Sequence, residues 1–108
     1  MRRTKVLTMV TGMALIACAG GAAAGDAEAG KEKSAMCAGC HEIAGYRTAY
    51  PTVYTVPKLG GQSAEYIVAA LEAYKSGARK HPSMTAIAAT LSAQDMADLA
   101  AYYSGAGK

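Results

Sequence analysis

The stretch Cys37-Ala38-Gly39-Cys40-His41 carries most of the information about how this chain is organised. The chain has 108 residues with three cysteines and two histidines, and this stretch holds two of those cysteines and one of the histidines. Two thiols spaced three residues apart beside an imidazole suit a redox disulfide, a metal site or the attachment of a haem. The compartment and the surrounding elements distinguish among these chemistries.

An export signal precedes this stretch. Three of the first five residues are basic, and an uncharged apolar run, Val6–Ala17, follows them. The run is about 12 residues long, which suits the apolar part of a signal peptide and is too short to span a membrane as a helix. The small residues Ala22–Ala24 form a cleavage site. Residues 1–24 are therefore predicted to be a signal peptide, and residues 25–108 the mature domain in the periplasm.

A second processing route stays open, because Leu15–Cys18 resembles the lipobox of bacterial lipoproteins. In that alternative residues 1–17 are the signal, Cys18 becomes the lipidated first residue, and Ala19–Gly25 is a flexible tether. Contact with a membrane is expected only in that case. Neither route gives Cys18 a part in the chemistry.

Charge and composition narrow the function of the mature domain. The formal charge of the whole chain is +3, and it falls to zero once the three basic residues of the leader are removed. Nucleic-acid binding, which needs a basic stripe, is therefore not expected. The chain has no Phe and no Trp, although 52% of its residues are apolar. A small domain with so few large apolar side chains suggests that a large apolar group occupies its centre.

In an exported protein a C-x-x-C-H stretch indicates the covalent attachment of a c-type haem. The thiols of Cys37 and Cys40 can add to the two vinyl groups of the porphyrin, and the His41 imidazole then lies beneath the iron. His41 is expected to bind the iron through Nε2 and to donate its Nδ1–H to a backbone carbonyl. One covalently bound haem c is the predicted cofactor.

Three other chemistries of these residues are less favoured. A thioredoxin-type oxidoreductase needs a βαβ setting that the sequence lacks. A zinc site would use the four side chains Cys37, Cys40, His41 and His81. It is disfavoured because Cys40 and His41 are adjacent, which suits tetrahedral zinc poorly. A disulfide between Cys37 and Cys40 would close a loop too small to add much stability.

The second axial ligand of the iron must be a methionine or the other histidine. The candidates in the mature domain are Met36, Met84, Met96 and His81. Met36 adjoins the attachment site and cannot reach around the ring, and Met96 fits the apolar face of a helix. Met84 is the favoured ligand, because it lies in a proline-marked stretch predicted to be irregular and free to bend over the far face of the haem. His81 is its rival.

Helices and loops are predicted from capping residues and apolar spacing. Three main helices are expected: from Asp26 to about Cys37, from Ser63 to just before Gly77, and from the capping box at Ser92–Asp95 onward. The stretch from Gly45 to Gly61 is predicted to be a long packed loop, because no second run is available to pair with its β-branched residues. No sheet is therefore expected.

Several stretches together resemble the small class I cytochromes c of the bacterial periplasm. They are Gly30-Lys31, Cys37–His41, Pro57–Gln62, Gly77–Arg79, Met84 and Leu99–Tyr103. The resemblance covers residues 25–108 and implies an all-α class I cytochrome c fold, with three main helices and loops wrapped around one covalently bound haem. It also implies axial ligation of the iron by His41 and Met84.

The resemblance implies roles for two further positions. Gly30 would lie where the first helix crosses the last, against Tyr102 or Tyr103, and Pro57 would line the proximal side of the haem. The sequence departs from the family at Glu42, where relatives commonly have glycine, and in the tyrosine-rich loop that follows. Both departures bear on the surface around the haem edge.

This ligation predicts an electron-transfer protein and not an enzyme, because two axial ligands leave no iron position open to a substrate. The expected function is that of a monomeric one-electron carrier, which docks through its exposed haem edge with periplasmic or membrane-bound redox partners. The alternatives are a dedicated electron-accepting subunit of a dehydrogenase or oxidase, and a ligand-binding or peroxidase-like haem protein. Four basic residues could pair with haem propionates or partner acids, although solvated surface charge is the expected role: Arg47, Lys58, Arg79 and Lys80.

Overall fold

The computed structural model describes residues 24–50 and 52–106 of the chain. Cys18 and nearly all of the predicted leader lie outside these residues. Within the described ranges no helix is both long and apolar enough to cross a membrane.

The described residues form five helices and one short two-stranded sheet. The helices are α1 (Ala27–Lys33), α2 (Ala35–His41), α3 (Ala64–Ser76), α4 (Pro82–Ala89) and α5 (Ala93–Gly105). The strands are β1 (Arg47–Thr48) and β2 (Tyr54–Thr55). The architecture is helical, as predicted.

Capping residues begin the three predicted helices at the expected places. The Asp26 carboxylate accepts hydrogen bonds from two backbone N–H groups in the first turn of α1, and Ser63 Oγ accepts one in the first turn of α3. Ser92 and Asp95 form the capping box that opens α5. The helix α3 ends at Gly77, whose φ of 83° lies in the left-handed region that glycine adopts without strain.

The first predicted helix continues further than expected and is interrupted. The sequence predicts one helix from Asp26 to about Cys37, whereas α1 and α2 are separated at Ser34 and extend to His41. Ser34 is buried, and its Oγ donates a hydrogen bond to the backbone carbonyl of Lys31 at 2.7 Å. Such local bonds from serine to the backbone often accompany a bend in a helix. The haem-attachment stretch therefore lies on a helix.

The prediction that the chain has no sheet is wrong. The strands β1 and β2 pair antiparallel, with Arg47 opposite Thr55 and Thr48 opposite Tyr54. The Thr48 hydroxyl supports the connection, because it donates to the carbonyl of Thr52 and accepts from the backbone N–H of Tyr54, each at 3.1 Å. Strands of two residues are too short for an alternating pattern, so this pairing leaves no signal in the sequence.

The prediction of an irregular stretch at His81–Met84 is also wrong. The helix α4 begins at Pro82 and includes Met84, and His81 is its N-cap. Proline is favoured in the first turn of a helix, because its missing N–H needs no partner there. The helix α4 therefore adds to the three main helices that the sequence predicts.

A close backbone contact joins α1 and α5. A Cβ atom on Gly30 would collide with the backbone carbonyl of Asp98 and would lie 2.9 Å from the Cβ of Tyr102. The glycine expected at the helix crossing is thus required by the approach of two backbones. The aromatic residue against it is Tyr102.

A buried carboxylate ties the same two helices together. Asp98 Oδ2 lies 2.5 Å from Lys33 Nζ, and Asp98 Oδ1 accepts hydrogen bonds from the backbone N–H of Asp26 at 2.9 Å and from Gln94 Nε2 at 2.8 Å. Lys33 Nζ also lies 2.8 Å from Asp95 Oδ1. The hydrogen bond from Lys33 is the largest of the causes that lower the pKa of Asp98 to about 2. The first and last helices are therefore joined by paired charges as well as by packing.

The hydrophobic core lies mainly between α3 and α5. Its buried members are Ile67, Leu71, Leu91, Met96, Leu99, Ala100 and Tyr103. Met96 is only 2% exposed, which confirms its expected place in the core. Cys37, Leu59 and Met84 are partly buried against this cluster. The core therefore borders directly on the residues of the candidate site.

Candidate functional site

A cavity of about 670 Å³ lies among α2, α3, α4 and the β1–β2 hairpin. Three predicted site residues of α2 line it, Cys37, Cys40 and His41, and so does Met84 of α4. Most of the lining is apolar. The volume falls within the range of roughly 300–1,000 Å³ that small-molecule and cofactor sites occupy. The structure thus brings all four predicted site residues to one cavity.

The helix α2 places the two thiols and the imidazole next to one another. Side chains at i, i+3 and i+4 share one face of a helix, which is the spacing of Cys37, Cys40 and His41. Cys37 is half-buried, Cys40 is exposed, and neither is in a disulfide. Burial raises the pKa of the Cys37 thiol. One helix face therefore presents two thiols and an imidazole to the same cavity.

The loop before α3 orients His41. His41 Nδ1 lies 2.6 Å from the backbone carbonyl oxygen of Pro57. An imidazole that donates through Nδ1 keeps its lone pair on Nε2, where it can bind a metal. The backbone acceptor expected for this histidine is therefore the carbonyl of Pro57.

Met84 lies in the first turn of α4 and is half-buried at the cavity wall. The other candidate ligands are placed differently. Met36 is on α2 with the attachment stretch and is half exposed, whereas Met96 belongs to the core. His81 also lines the cavity, but its Nδ1 accepts a hydrogen bond from the backbone N–H of Met84, and its ring packs edge-on against Tyr54.

Basic side chains and tyrosines lie along the cavity as well. Lys58, Arg79 and Lys80 are exposed and are part of its lining. Arg79 Nη1 donates a hydrogen bond to the Tyr66 hydroxyl at 3.3 Å, and its guanidinium carbon lies 4.8 Å from the centre of the Tyr74 ring. This guanidinium is therefore held in place beside the cavity, where it can neutralise a carboxylate. Arg47, the fourth of the basic residues in the sequence prediction, lies on β1 and is not part of the lining.

A smaller cavity of about 370 Å³ lies beside His41 and is also lined by Glu42, Lys58 and Tyr103. The Tyr103 hydroxyl donates a hydrogen bond to Glu42 Oε1 at 3.1 Å. Burial raises the pKa of Tyr103 well above its usual range, so this phenol remains a donor. Glu42, which directly follows the attachment stretch, is thus bonded to α5.

Two residues of the site, Tyr54 and His81, are placed in ways that the sequence interpretation missed. Tyr54 lines the cavity from β2, and the two-residue strands that hold it have no sequence signal. His81 precedes Pro82, and a polar residue before a proline is a recognisable helix start. This pair of residues could have revealed α4, whereas nothing in the sequence indicated the position of Tyr54.

The side chains around the cavity fit a haem held by covalent bonds. Two thiols, an oriented imidazole and a thioether line a mostly apolar cavity, and these are the groups that thioether attachment and axial ligation require. Within residues 24–50 and 52–106, no group of three or more His, Cys, Asp or Glu side chains is placed to hold a metal ion. The four side chains of the zinc alternative therefore do not come together as one such group.

Comparisons with known proteins bear on the same residues. The family model described as "Cytochrome c" matches residues 27–105. Cytochrome c-554(548) of Halomonas halodenitrificans is 45% identical over 84 residues, which cover 75% of this chain and 96% of that protein. Cytochrome c4 of Pseudomonas aeruginosa is 42% identical over 81 residues, which cover 75% of this chain and 38% of that protein.

A solved structure is similar as well. The crystal structure of reduced recombinant cytochrome c4 from Pseudomonas stutzeri matches with a TM-score of 0.62 and 39% sequence identity, covering 77% of this chain and 46% of that chain. The chain thus spans nearly all of the relative from Halomonas and less than half of each of these cytochromes c4. The matched residues 27–105 include every helix and strand that lines the cavity.

Proposed function

This chain belongs to the cytochrome c family, and from that premise we propose that it carries single electrons between redox proteins of the periplasm or of its membranes. Its cofactor is covalently bound haem c. When bound, haem c supplies an iron that alternates between the ferric and ferrous states. The observation that carries the proposal is that two thiols, an oriented imidazole and a methionine line one apolar cavity.

Cys37 and Cys40 are the proposed attachment points, through thioether bonds. They lie one turn apart on α2, and both line the cavity. Cys37 packs against the core while Cys40 is exposed. Cys37 would therefore hold the haem beside the core, whereas Cys40 would hold it near the protein surface.

His41 and Met84 are the proposed axial ligands. The Pro57 carbonyl accepts from Nδ1 of His41, which leaves Nε2 free to bind the iron. Met84 presents a thioether from a different element of the same cavity wall. His81 is the weaker candidate, because its Nδ1 accepts a hydrogen bond and its neutral ring therefore carries the proton on Nε2.

This ligand set supports electron transfer over substrate conversion. A thioether stabilises ferrous iron relative to harder donors, which raises the reduction potential. If His41 and Met84 both bind the iron, a substrate would have no open coordination position to occupy. The cations Lys58, Arg79 and Lys80 line the cavity and are proposed to balance the charge of the propionates.

Partners are proposed to dock on the surface where exposed apolar side chains meet the cavity. Met36, Tyr54 and Tyr66 line the cavity and are each 50% exposed. A small, partly apolar patch suits the weak and fast encounters of redox partners. Because the formal charge of residues 25–108 is zero, long-range electrostatic steering of redox partners is expected to be modest. We also propose that the chain works as a monomer.

Export is proposed from the basic residues and the apolar run at the start of the chain. The intact mass of the protein from native cells tests this together with haem attachment. A mass equal to residues 25–108 plus one haem would support periplasmic release after cleavage. Acyl chains on Cys18 would instead indicate a membrane-anchored lipoprotein, and a mass without haem would contradict the attachment.

Electrochemistry and ligand binding test the proposed function. In a redox titration the holoprotein should show one reversible transition. The potential should change by about 59 mV for each tenfold change in the ratio of oxidised to reduced protein, which is the value for one electron. The reduced holoprotein should not bind carbon monoxide, whereas the Met84→Ala variant should bind it through the opened position. Ready binding of carbon monoxide by the unaltered protein, or lasting high-spin iron, would favour a ligand-binding or peroxidase-like function instead.

A further inference from the structure

The N-cap of α4 is an imidazole that bonds directly to the backbone of Met84. His81 Nδ1 accepts a hydrogen bond from the Met84 N–H at 3.4 Å, and the His81 N–H donates to Thr85 Oγ1 at 3.5 Å. The backbone N–H of Thr85 also donates to the His81 carbonyl at 2.8 Å. The turn that carries Met84 is therefore bonded to His81 through both the ring and the backbone.

The hairpin contacts the other side of this cap. The Tyr54 ring lies edge-on to the His81 ring, with centroids 5.1 Å apart and an angle of 62° between the planes. Tyr54 is itself fixed, because β2 pairs with β1 and the Tyr54 N–H donates to Thr48 Oγ1. A chain of contacts thus runs from the hairpin through Tyr54 and His81 to Met84.

At this position an imidazole both accepts a helix N–H group and packs against a neighbouring ring, whereas a usual cap residue only accepts the N–H group. Serine, threonine, asparagine or aspartate can accept the free N–H groups of a helix start. None of these side chains offers an aromatic ring for Tyr54 to pack against, whereas a histidine accepts with one nitrogen and packs with its ring. The choice of His81 therefore couples the first turn of α4 to the hairpin.

We propose that His81 and Tyr54 are positioning residues that hold Met84 toward the cavity and so keep its thioether on the iron. This proposal rests on the proposed role of Met84 as an axial ligand. Neither residue need touch the iron, because each acts through the backbone turn that carries Met84. Loosening that turn makes the thioether easier to displace.

Competition with added imidazole in the ferric holoprotein measures this effect. Loss of an N-cap side chain typically destabilises a helix start by about 1 kcal/mol, which corresponds to a factor of about five. The variant His81→Ala should therefore lower the concentration of imidazole that displaces Met84 about fivefold. The long-wavelength absorption band of methionine-bound ferric iron reports the displacement directly.

A conservative variant separates the cap from a general loss of packing. The variant His81→Asn keeps an N-cap acceptor for the Met84 N–H. It should recover a large part of the wild-type imidazole resistance. Equal behaviour of His81→Ala and His81→Asn would overturn the proposal, and so would a wild-type imidazole midpoint in His81→Ala.

The hairpin contact has its own matched pair of variants. Tyr54→Leu should lower the imidazole midpoint, whereas Tyr54→Phe, which keeps the ring, should not. Tyr50→Leu is the control, because Tyr50 belongs to the same tyrosine-rich loop and is 89% exposed. In a double-mutant cycle, Tyr54→Leu should have little further effect once His81 is alanine. Fully additive effects of the two substitutions would show that Tyr54 does not act through His81.

The variant Met84→Ala distinguishes failure of this proposal from failure of the ligand assignment. If Met84→Ala leaves the long-wavelength band of the ferric protein intact, the ligand assignment is wrong and the positioning proposal falls with it. If Met84→Ala abolishes the band while His81→Ala changes neither the band nor the imidazole midpoint, only the positioning proposal is overturned. Denaturant unfolding of each holoprotein confirms that the compared variants are folded.

Discussion

His41 Nδ1 and the carbonyl oxygen of Pro57 lie 2.6 Å apart, although the two residues are 16 positions apart in the sequence. A contact of this length between an imidazole nitrogen and a carbonyl is a hydrogen bond in which the nitrogen carries the proton. Such a partner fixes the tautomer and the orientation of a ligating histidine. The loop before α3 is therefore part of the candidate site.

This relationship predicts different tautomers for the two histidines. In the reduced holoprotein we expect His41 to carry a proton on Nδ1 that exchanges slowly with solvent, because the Pro57 carbonyl holds it. His81 serves as the internal comparison and should carry its proton on Nε2. Nitrogen–proton correlation spectra of the histidine rings, followed by transfer to D₂O, check both assignments. Rapid exchange at Nδ1 of His41 would contradict the role given to Pro57.

Replacing Met84 and replacing Met96, which lie on neighbouring helices, are expected to affect different properties of the holoprotein. Met84→Ala should lower the reduction potential and remove the long-wavelength band, because the proposed thioether ligand is lost. Met96→Ala should keep the band but reduce the free energy of unfolding by about 2–5 kcal/mol, because Met96 is buried in the core. Voltammetry, ferric absorption spectra and urea unfolding of both holoproteins separate ligation from packing.

Two helical glycines provide a matched test of the α1–α5 contact. In Gly30→Ala the added Cβ would collide with the backbone carbonyl of Asp98, which cannot move aside as a flexible side chain could. We expect a loss of about 1–3 kcal/mol in the free energy of unfolding. Gly39→Ala places a Cβ where nothing lies within 4 Å and should stabilise α2 by up to about 1 kcal/mol. Equal stability of the two variants would show that the two helices do not cross at Gly30.

The acid stability of the protein should depend on Asp98. Folding lowers the pKa of this carboxyl to about 2, chiefly through the hydrogen bond from Lys33. Its contribution to stability is therefore complete above its unfolded pKa of about 4 and is lost as the pH falls through about 2. We expect Asp98→Asn and Lys33→Gln each to reduce the decline in unfolding free energy over this pH range. Urea unfolding at a series of acidic pH values provides the measurement, and a decline as steep as in the unaltered protein would exclude this linkage.

Much of the fold follows from short segments of the sequence. The helix starts at Asp26, Ser63 and Ser92 are recognisable because each cap bonds to N–H groups two or three residues away. The missed helix α4 belongs to the same class, since His81-Pro82 is a local signal. The hairpin is different, because strands of two residues show no alternation and depend on where the backbone turns.

The components of the candidate site divide in the same way. Cys37, Cys40 and His41 lie within five consecutive residues, so their chemistry can be predicted from that short stretch alone. The resemblance of the surrounding stretches indicates Met84. Three contacts have no local pattern in the sequence. They are the hydrogen bond from His41 to the Pro57 carbonyl, the packing of Tyr54 on His81, and the salt bridge between Lys33 and Asp98. These pairs join residues far apart in sequence and form only when α5 crosses α1 and the loops close around the cavity. Attachment chemistry depends on neighbouring residues, whereas orientation of the ligands depends on long-range contacts that exist only in the folded chain.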